Sequence, residues 1–211
     1  MEQNYMNHKN LETEIDIKKS RFISHIARTE TDEEARAFID KIKKEHREAT
    51  HNCSAYIIGQ NALVQRADDD GEPSGTAGVP MLEVLKRESL YNCTVVVTRY
   101  FGGVKLGAGG LIRAYSQSTS EAVKAAGKVY LIPMTPTKVV LDYTFTSKFE
   151  YFLENEQIEI KEQEYTDTVT YHLMIKEELV DKVKSTLQEI TSNTFQMSTE
   201  DVEMAESVLV L

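Results

Sequence analysis

The chain has 211 residues, 41% hydrophobic and 27% charged, with a formal net charge of −10. That length can bury a core in one large or two small domains, and the negative balance argues against a protein that grips phosphate backbone by overall charge. No apolar run approaches the roughly 18 residues of a membrane helix, and the start, MEQNYMNHKN, lacks a basic-then-apolar export signal, so the expected location is cytoplasmic.

Residues 11–17 and 21–27 alternate as two strands around Lys18-Lys19-Ser20. A helix is predicted from Asp32 to about Glu48, with Thr31 and Glu34 at capping-box spacing and a buried stripe of Ala35, Phe38, Ile39 and Ile42. Its outer side carries Arg36, Lys41, Lys43, Lys44 and Arg47, read as a solvated face or as a surface for phosphate backbone. His51–Gly59 is a further strand, followed by a polar loop. An apolar helix enters near Pro80, Thr94–Thr98 reads as a buried strand, and a small-residue helix runs from about Leu111 to Ala126 before Gly127. Val129–Ile132 closes this part. Cys53 and Cys93 sit within apolar runs and read as buried, reduced thiols.

Residues 1–134 hold 18 acidic and 18 basic side chains, whereas residues 135–211 hold 16 acidic and 6 basic, so the whole net charge comes from the last third. Two of the four prolines, Pro133 and Pro136, stand at that change, which sets the expected domain boundary at 134/135. Beyond it, Thr137–Phe145 alternates with Val139, Leu141, Tyr143 and Phe145 inward. Ser147 and Glu150 have capping-box spacing for a short helix. Ile158–Tyr165 and Thr168–Ile175 form a hairpin, Glu177–Ile190 a helix, and a last strand falls within 194–211. The order βαββαβ is the ferredoxin-like pattern. Both parts are therefore α+β.

Two stretches stand apart. In Gly102–Gly110, five glycines fall in nine residues between a strand and a helix start, the kind of loop whose free N–H groups and helix dipole suit an anion. Arg99, Lys105 and Arg113 supply cations around it, and Arg99 beside Tyr100 and Phe101 is the combination that stacks on single-stranded nucleic acid or a nucleotide. The alternative is a packed structural loop. The second stretch, Asp68–Gly78, concentrates four acids, three glycines and a proline. Asp69, Asp70 and Glu72 are candidate magnesium ligands or an acidic turn held by local backbone bonds, and the turn is the favoured reading. The GxxxxGK[ST] spacing and a dinucleotide fingerprint are missing, Ser116, Ser118 and Ser120 lie on a helix, and His46, His51 and Cys53 read as structural. The expectation is no catalytic group, no metal and no cofactor.

Together DDGEPSGTAGVP and VVVTRYFGGVKLGAGGLIRAY closely resemble the paired signatures of the IMPACT family, and the resemblance runs from about Ile15 onward. Matching residues are His51, Asp69, Asp70, Gly71, Glu72, Pro73, Gly75, Thr76 and Ala77 in and before the first signature. In the second they are Arg99, Tyr100, Phe101, Gly102, Gly103, Lys105, Leu106, Gly107, Gly110, Arg113 and Tyr115. The resemblance implies a first domain like the second domain of small-subunit ribosomal protein five, and a second like the ferredoxin-like last domain of the translocation elongation factor. It also implies a regulatory role in translation or stress response, with RNA, the ribosome or a ribosome-associated protein as partner. The alternative is an enzyme or sensor that takes a phosphate or nucleotide at Gly102–Gly110, with Asp69, Asp70 and Glu72 holding a metal or acting as base.

Overall fold

The computed structural model describes residues 4–209. The chain divides into two compact α+β units, one running to Tyr130 and taking in Val208, the other Leu131–Ser207. The change in charge at 134/135 lies just beyond this packing break.

The first unit runs β1 (Met6–Asn7), β2 (Leu11–Ile17), β3 (Ser20–Arg28), α1 (Asp32–Glu45), β4 (His51–Ile58), β5 (Val64–Asp68), α2 (Gly78–Arg87), β6 (Cys93–Tyr100), α3 (Ala108–Ala126) and the start of β7 (Lys128–Leu141). Five of these strands form an antiparallel sheet in the order β2-β3-β6-β4-β5. The β2–β3 hairpin turns on Lys18 and Lys19, both at positive φ, as a two-residue turn matched to strand twist requires. The Thr31 hydroxyl accepts from the Glu34 N–H and starts α1, whose Ala35, Ile39 and Ile42 pack on Tyr56, Ile58 and Val96. Alternation sends the other face of the sheet toward α3: Phe22 meets Tyr115 edge-on at 5.3 Å, and the Ser24 and Ser118 hydroxyls are 2.6 Å apart. Val95, Val96 and Val97 in the central strand are fully buried.

Three expectations need correction here. β5 falls where a polar loop was expected: VQRAD pairs on one side only and stays largely exposed, so no alternation marks it. Gly109 and Gly110 belong to the first turn of α3 rather than to the loop before it. The strands expected on either side of Pro133 and Pro136 are one strand, β7.

In the second unit β7 is followed by a 3₁₀ turn (Tyr143–Phe145), α4 (Thr146–Asn155), β8 (Ile160–Tyr165), β9 (Val169–Lys176), a second 3₁₀ turn (Glu177–Leu179), α5 (Val180–Thr191), β10 (Gln196–Thr199) and β11 (Glu203–Val208). The strands lie in the order β10-β7-β9-β8, all antiparallel, and β11 also pairs with β7. Val139 and Leu141 of β7 pack with Phe149, Leu153, Tyr171, Val183 and Leu187 in one core. The expected inward run ends there, because Asp142 accepts from the Thr144 N–H and begins the 3₁₀ turn; Tyr143 is exposed and Ser147 is not the cap.

Candidate functional site

Register brings the two signature stretches together. β6 lies between β3 and β4, pairing Arg99 with Phe22 on one side and His51 on the other. Alternation then points Arg99 to the α3 face of the sheet and Tyr100 to the α1 face. Arg99 is 5% exposed. Its Nη1 donates to Glu72 Oε1 at 2.6 Å, Nη2 lies 3.4 Å from the Ser20 hydroxyl, and Nε, also buried, has no hydrogen-bond partner among the described residues. The guanidinium stands 5.5 Å from the rings of both Phe22 and Phe101.

Glu72 is equally enclosed. Besides Arg99 it accepts from the Tyr115 hydroxyl at 2.8 Å, and His51 Nε2 stands 3.7 Å from its second oxygen. His51 Nδ1 donates to the Asp70 carbonyl at 2.8 Å. Burial, then the neighbouring Cys53 and Glu72, pushes the Tyr115 phenol far above its ordinary range, so it serves as a donor. Burial also raises the Cys53 thiol, whose Sγ donates to the Asp69 carbonyl.

The acidic stretch is built from backbone bonds. The Asp69 carboxylate accepts from the N–H groups of Gly75, Ala77 and Gly78 at 2.7–3.0 Å. Asp70 accepts from the Asn52 N–H at 2.6 Å and from Lys43 Nζ at 2.7 Å, and Asp68 accepts from the Asp70 N–H. Thr76 is buried, its hydroxyl donating to the Pro73 carbonyl, while Gly71 lies against the His51 ring. These carboxylates are organised as acceptors for the chain itself.

The glycine stretch packs for a different reason. A Cβ on Gly102 would stand 1.7 Å from the Lys19 carbonyl oxygen, so only glycine lets this loop lie against the β2–β3 turn. Gly103 and Gly107 hold φ of +85° and +71°, and Gly107 delivers the chain into α3. Gly110 lies under Leu106.

Between the two stretches lies a cavity of about 340 Å³. Arg99, Glu72 and His51 line it together with Lys105 and the apolar Pro73, Phe101, Leu106, Ala108 and Leu111; Thr50 and Gly107 complete the wall. Phe101 is 46% exposed and Lys105 is exposed. A larger cavity of about 560 Å³ in the second unit, lined by Met134, Glu156, Glu203 and neighbours, touches neither signature and brings together no comparable set of buried polar groups.

The expected site residues thus separate. Arg99, Phe101, Lys105, Gly107, Glu72 and Pro73 converge on the cavity. Tyr100 does not: its hydroxyl meets His46 Nδ1 at 2.9 Å on the opposite face, with Arg21 stacked 4.9 Å from its ring. Arg113 is exposed on α3 and outside the cavity lining, and Tyr115 is wholly buried. The expectation that Arg99, Tyr100 and Phe101 together form one ligand-facing stack is corrected, because strand alternation turns Tyr100 to the other face and Glu72 takes the arginine. Of the basic residues expected on the outer side of α1, Arg36 pairs with Asp32, Lys41 with Glu45, Lys43 with Asp68 and Asp70, and Arg47, beyond the end of the helix, with Glu48. Thr50, Leu106 and Leu111 were not among the expected site residues. Leu106 and Leu111 fall within the second signature stretch but are apolar, and Thr50 lies outside both stretches, so only the fold shows that they line the cavity.

A family model described as the Impact N-terminal domain matches residues 18–123, and one described as a domain of unknown function (DUF1949) matches residues 139–194. IMPACT family member YvyE of Bacillus subtilis is 51% identical over 181 residues, covering 86% of this chain and 83% of the relative. IMPACT family member YigZ of Escherichia coli is 33% identical over 184 residues, covering 86% and 90%. Protein IMPACT of Danio rerio is 31% identical over 128 residues, which is 53% of this chain and 40% of that protein. A solved structure titled as the crystal structure of an hypothetical protein is 30% identical, with a TM-score of 0.59, covering 95% of this chain and 98% of that one.

Proposed function

The chain belongs to the IMPACT family, and from that premise we propose that it is a non-catalytic regulator of translation that docks a ribosome-associated protein at the cavity between its two signature loops. The observation that carries this reading is the neutralised Arg99–Glu72 pair lining a largely apolar cavity. Phosphate backbone is gripped by free cations, and here Lys105 is the exposed cation of the wall while Arg99 already has its anion. Apolar walls with a few fixed polar groups suit an inserted protein side chain, and Phe101 and Val104 of the glycine loop offer exposed apolar surface beside it. In the second unit the strand order β10-β7-β9-β8, with helices after the first and third of its strands in the chain, supports assigning a ferredoxin-like domain akin to the last domain of the translocation elongation factor. The likeness of the first unit to the second domain of small-subunit ribosomal protein five rests on the family resemblance.

A phosphate- or nucleotide-binding enzyme is the weaker alternative. Lys105 and the first turn of α3 favour an anion, but of its proposed metal ligands or base Asp69 and Asp70 are engaged by backbone N–H groups and Glu72 by Arg99 and the Tyr115 hydroxyl.

Co-sedimentation with ribosomes tests the proposal. The full chain is expected to pellet with crude ribosomes, to lose them once high salt has stripped their associated proteins, and to ignore free single-stranded RNA. Tight binding to free RNA that weakens steeply with salt, or no binding to crude ribosomes, overturns it.

A further inference from the structure

The α1 face of the first unit's sheet carries a second cluster, remote in chemistry from the cavity. Glu12 and His25 are direct cross-strand partners in the β2–β3 ladder, and the other ladder partner of His25 is Val96, which packs against α1. His46 ends α1, its N–H donating to the Ile42 carbonyl, and its ring centroid lies 5.0 Å from that of His25. One ligand atom from each of Glu12, His25 and His46 lies within 4.8 Å of the others. We propose that these three side chains form a site for a divalent transition metal of the zinc class, with its fourth position left to solvent.

The chemistry of the set supports that class. Two imidazoles and one carboxylate with an open position is a recurrent zinc arrangement, and imidazole donors select such ions over magnesium or calcium. Bonds of about 2.0–2.1 Å place tetrahedral ligand atoms about 3.4 Å apart, so the three groups need only draw together. Glu12 can supply the movement, since its side chain is 58% exposed on an edge strand. His25 supplies the fixed end. It is 6% exposed, faces Glu12 at 3.3 Å through Nδ1, and its buried Nε2 has no hydrogen-bond partner among the described residues. Its Nδ1 is the nitrogen that stands against that carboxylate, placed to share an ion with it. His46 is already oriented: Nδ1 stands 2.9 Å from the Tyr100 hydroxyl, and in the tautomer whose Nδ1–H donates to that oxygen Nε2 carries the lone pair for a metal. The stacking of Arg21 on Tyr100 holds that hydroxyl in place. The ion would clamp the end of α1 to the β2–β3 hairpin.

The test uses the full chain, stripped with a chelator and titrated with zinc and with cobalt(II). One ion per chain is expected, with the intense visible absorption of low-coordinate cobalt, displacement of cobalt by zinc, and a rise in melting temperature. His46→Gln and Glu12→Gln should each weaken binding at least tenfold, and Tyr100→Phe about tenfold through the loss of its hydrogen bond. Glu14→Gln, on the same strand, and His172→Gln should leave affinity unchanged. Glu12 is exposed, so its variant keeps the measurement valid if a histidine variant folds poorly. Absence of saturable binding, or binding retained by both His46→Gln and Glu12→Gln, overturns the site.

Discussion

Glu72 and Arg99 lie 27 positions apart in the chain and 2.6 Å apart in the fold, with side-chain exposures of 3% and 6%. Each neutralises a charge that the other could not leave buried alone. Removing one partner of such a pair typically costs about 3–5 kcal/mol, whereas exchanging both for apolar groups costs far less. Arg99→Met and Glu72→Leu should therefore each be strongly destabilising in urea titrations, and the double variant less so than their sum. Additive losses would mean that the pair is not the unit holding the loops together.

Phe101→Ala and Lys105→Ala belong to the opposite class. Both side chains stand at the exposed part of the cavity wall. Lys105→Ala should change unfolding by no more than about 0.5 kcal/mol, as for ordinary surface positions, and Phe101→Ala by about 1 kcal/mol through its lost ring contact with Arg99, while ribosome co-sedimentation falls in both. Paired urea and sedimentation measurements on the same preparations separate the two effects.

Adjacent glycines should respond differently to one methyl group. Gly102→Ala brings a Cβ to 1.7 Å from a backbone oxygen, which the β2–β3 turn can relieve only by moving. Gly103→Ala meets open space and bears only the left-handed backbone, a cost of about 1–2 kcal/mol. Thermal melts should rank Gly102→Ala as clearly the worse of the two.

Asp69→Ala removes the acceptor for three backbone N–H groups at the entry to α2. Hydrogen bonds to a charged group contribute about 1.5–3 kcal/mol each, less than additively. The substitution should lower the urea midpoint and raise amide exchange at Gly75, Ala77 and Gly78. Unchanged exchange there would show that another group holds the turn.

Both thiols should be silent in the folded protein. Burial pushes Cys93 up to about 12 and raises Cys53 well beyond its usual range, so neither supplies thiolate at neutral pH. An aromatic disulfide reagent should titrate two thiols in denaturant and none quickly without it.

Much of this was legible in the sequence because periodicity and caps are local. Thr31 with Glu34, the stripe Ala35–Ile39–Ile42 and Gly127 marked their helices directly. Where one-sided burial removes the period, as in β5, the pattern is silent. Prolines also misled: Pro133 and Pro136 lie inside β7 rather than between strands, and Pro136 sits opposite Met174 in the ladder. For the site, the residue types singled out the two stretches that the fold brings together around the cavity. Which member of Arg99-Tyr100-Phe101 turns inward depends on register against β3 and β4, a relation among residues far apart in sequence. His51 shows the same limit, since its place beside Glu72 follows from pairing opposite Arg99.

The position of β6 also orders events during synthesis. The hairpins β2–β3 and β4–β5 are complete well before residues 93–100 exist, yet they do not pair with each other, because β6 lies between β3 and β4. Until it arrives, each hairpin presents an unsatisfied edge with large apolar side chains, Phe22, Ile23 and Ile26 on β3 and Tyr56, Ile57 and Ile58 on β4, the kind of edge that recruits other chains. A chain cut before Cys93 lacks the strand that joins the two hairpins, and the VVV strand is what completes the sheet.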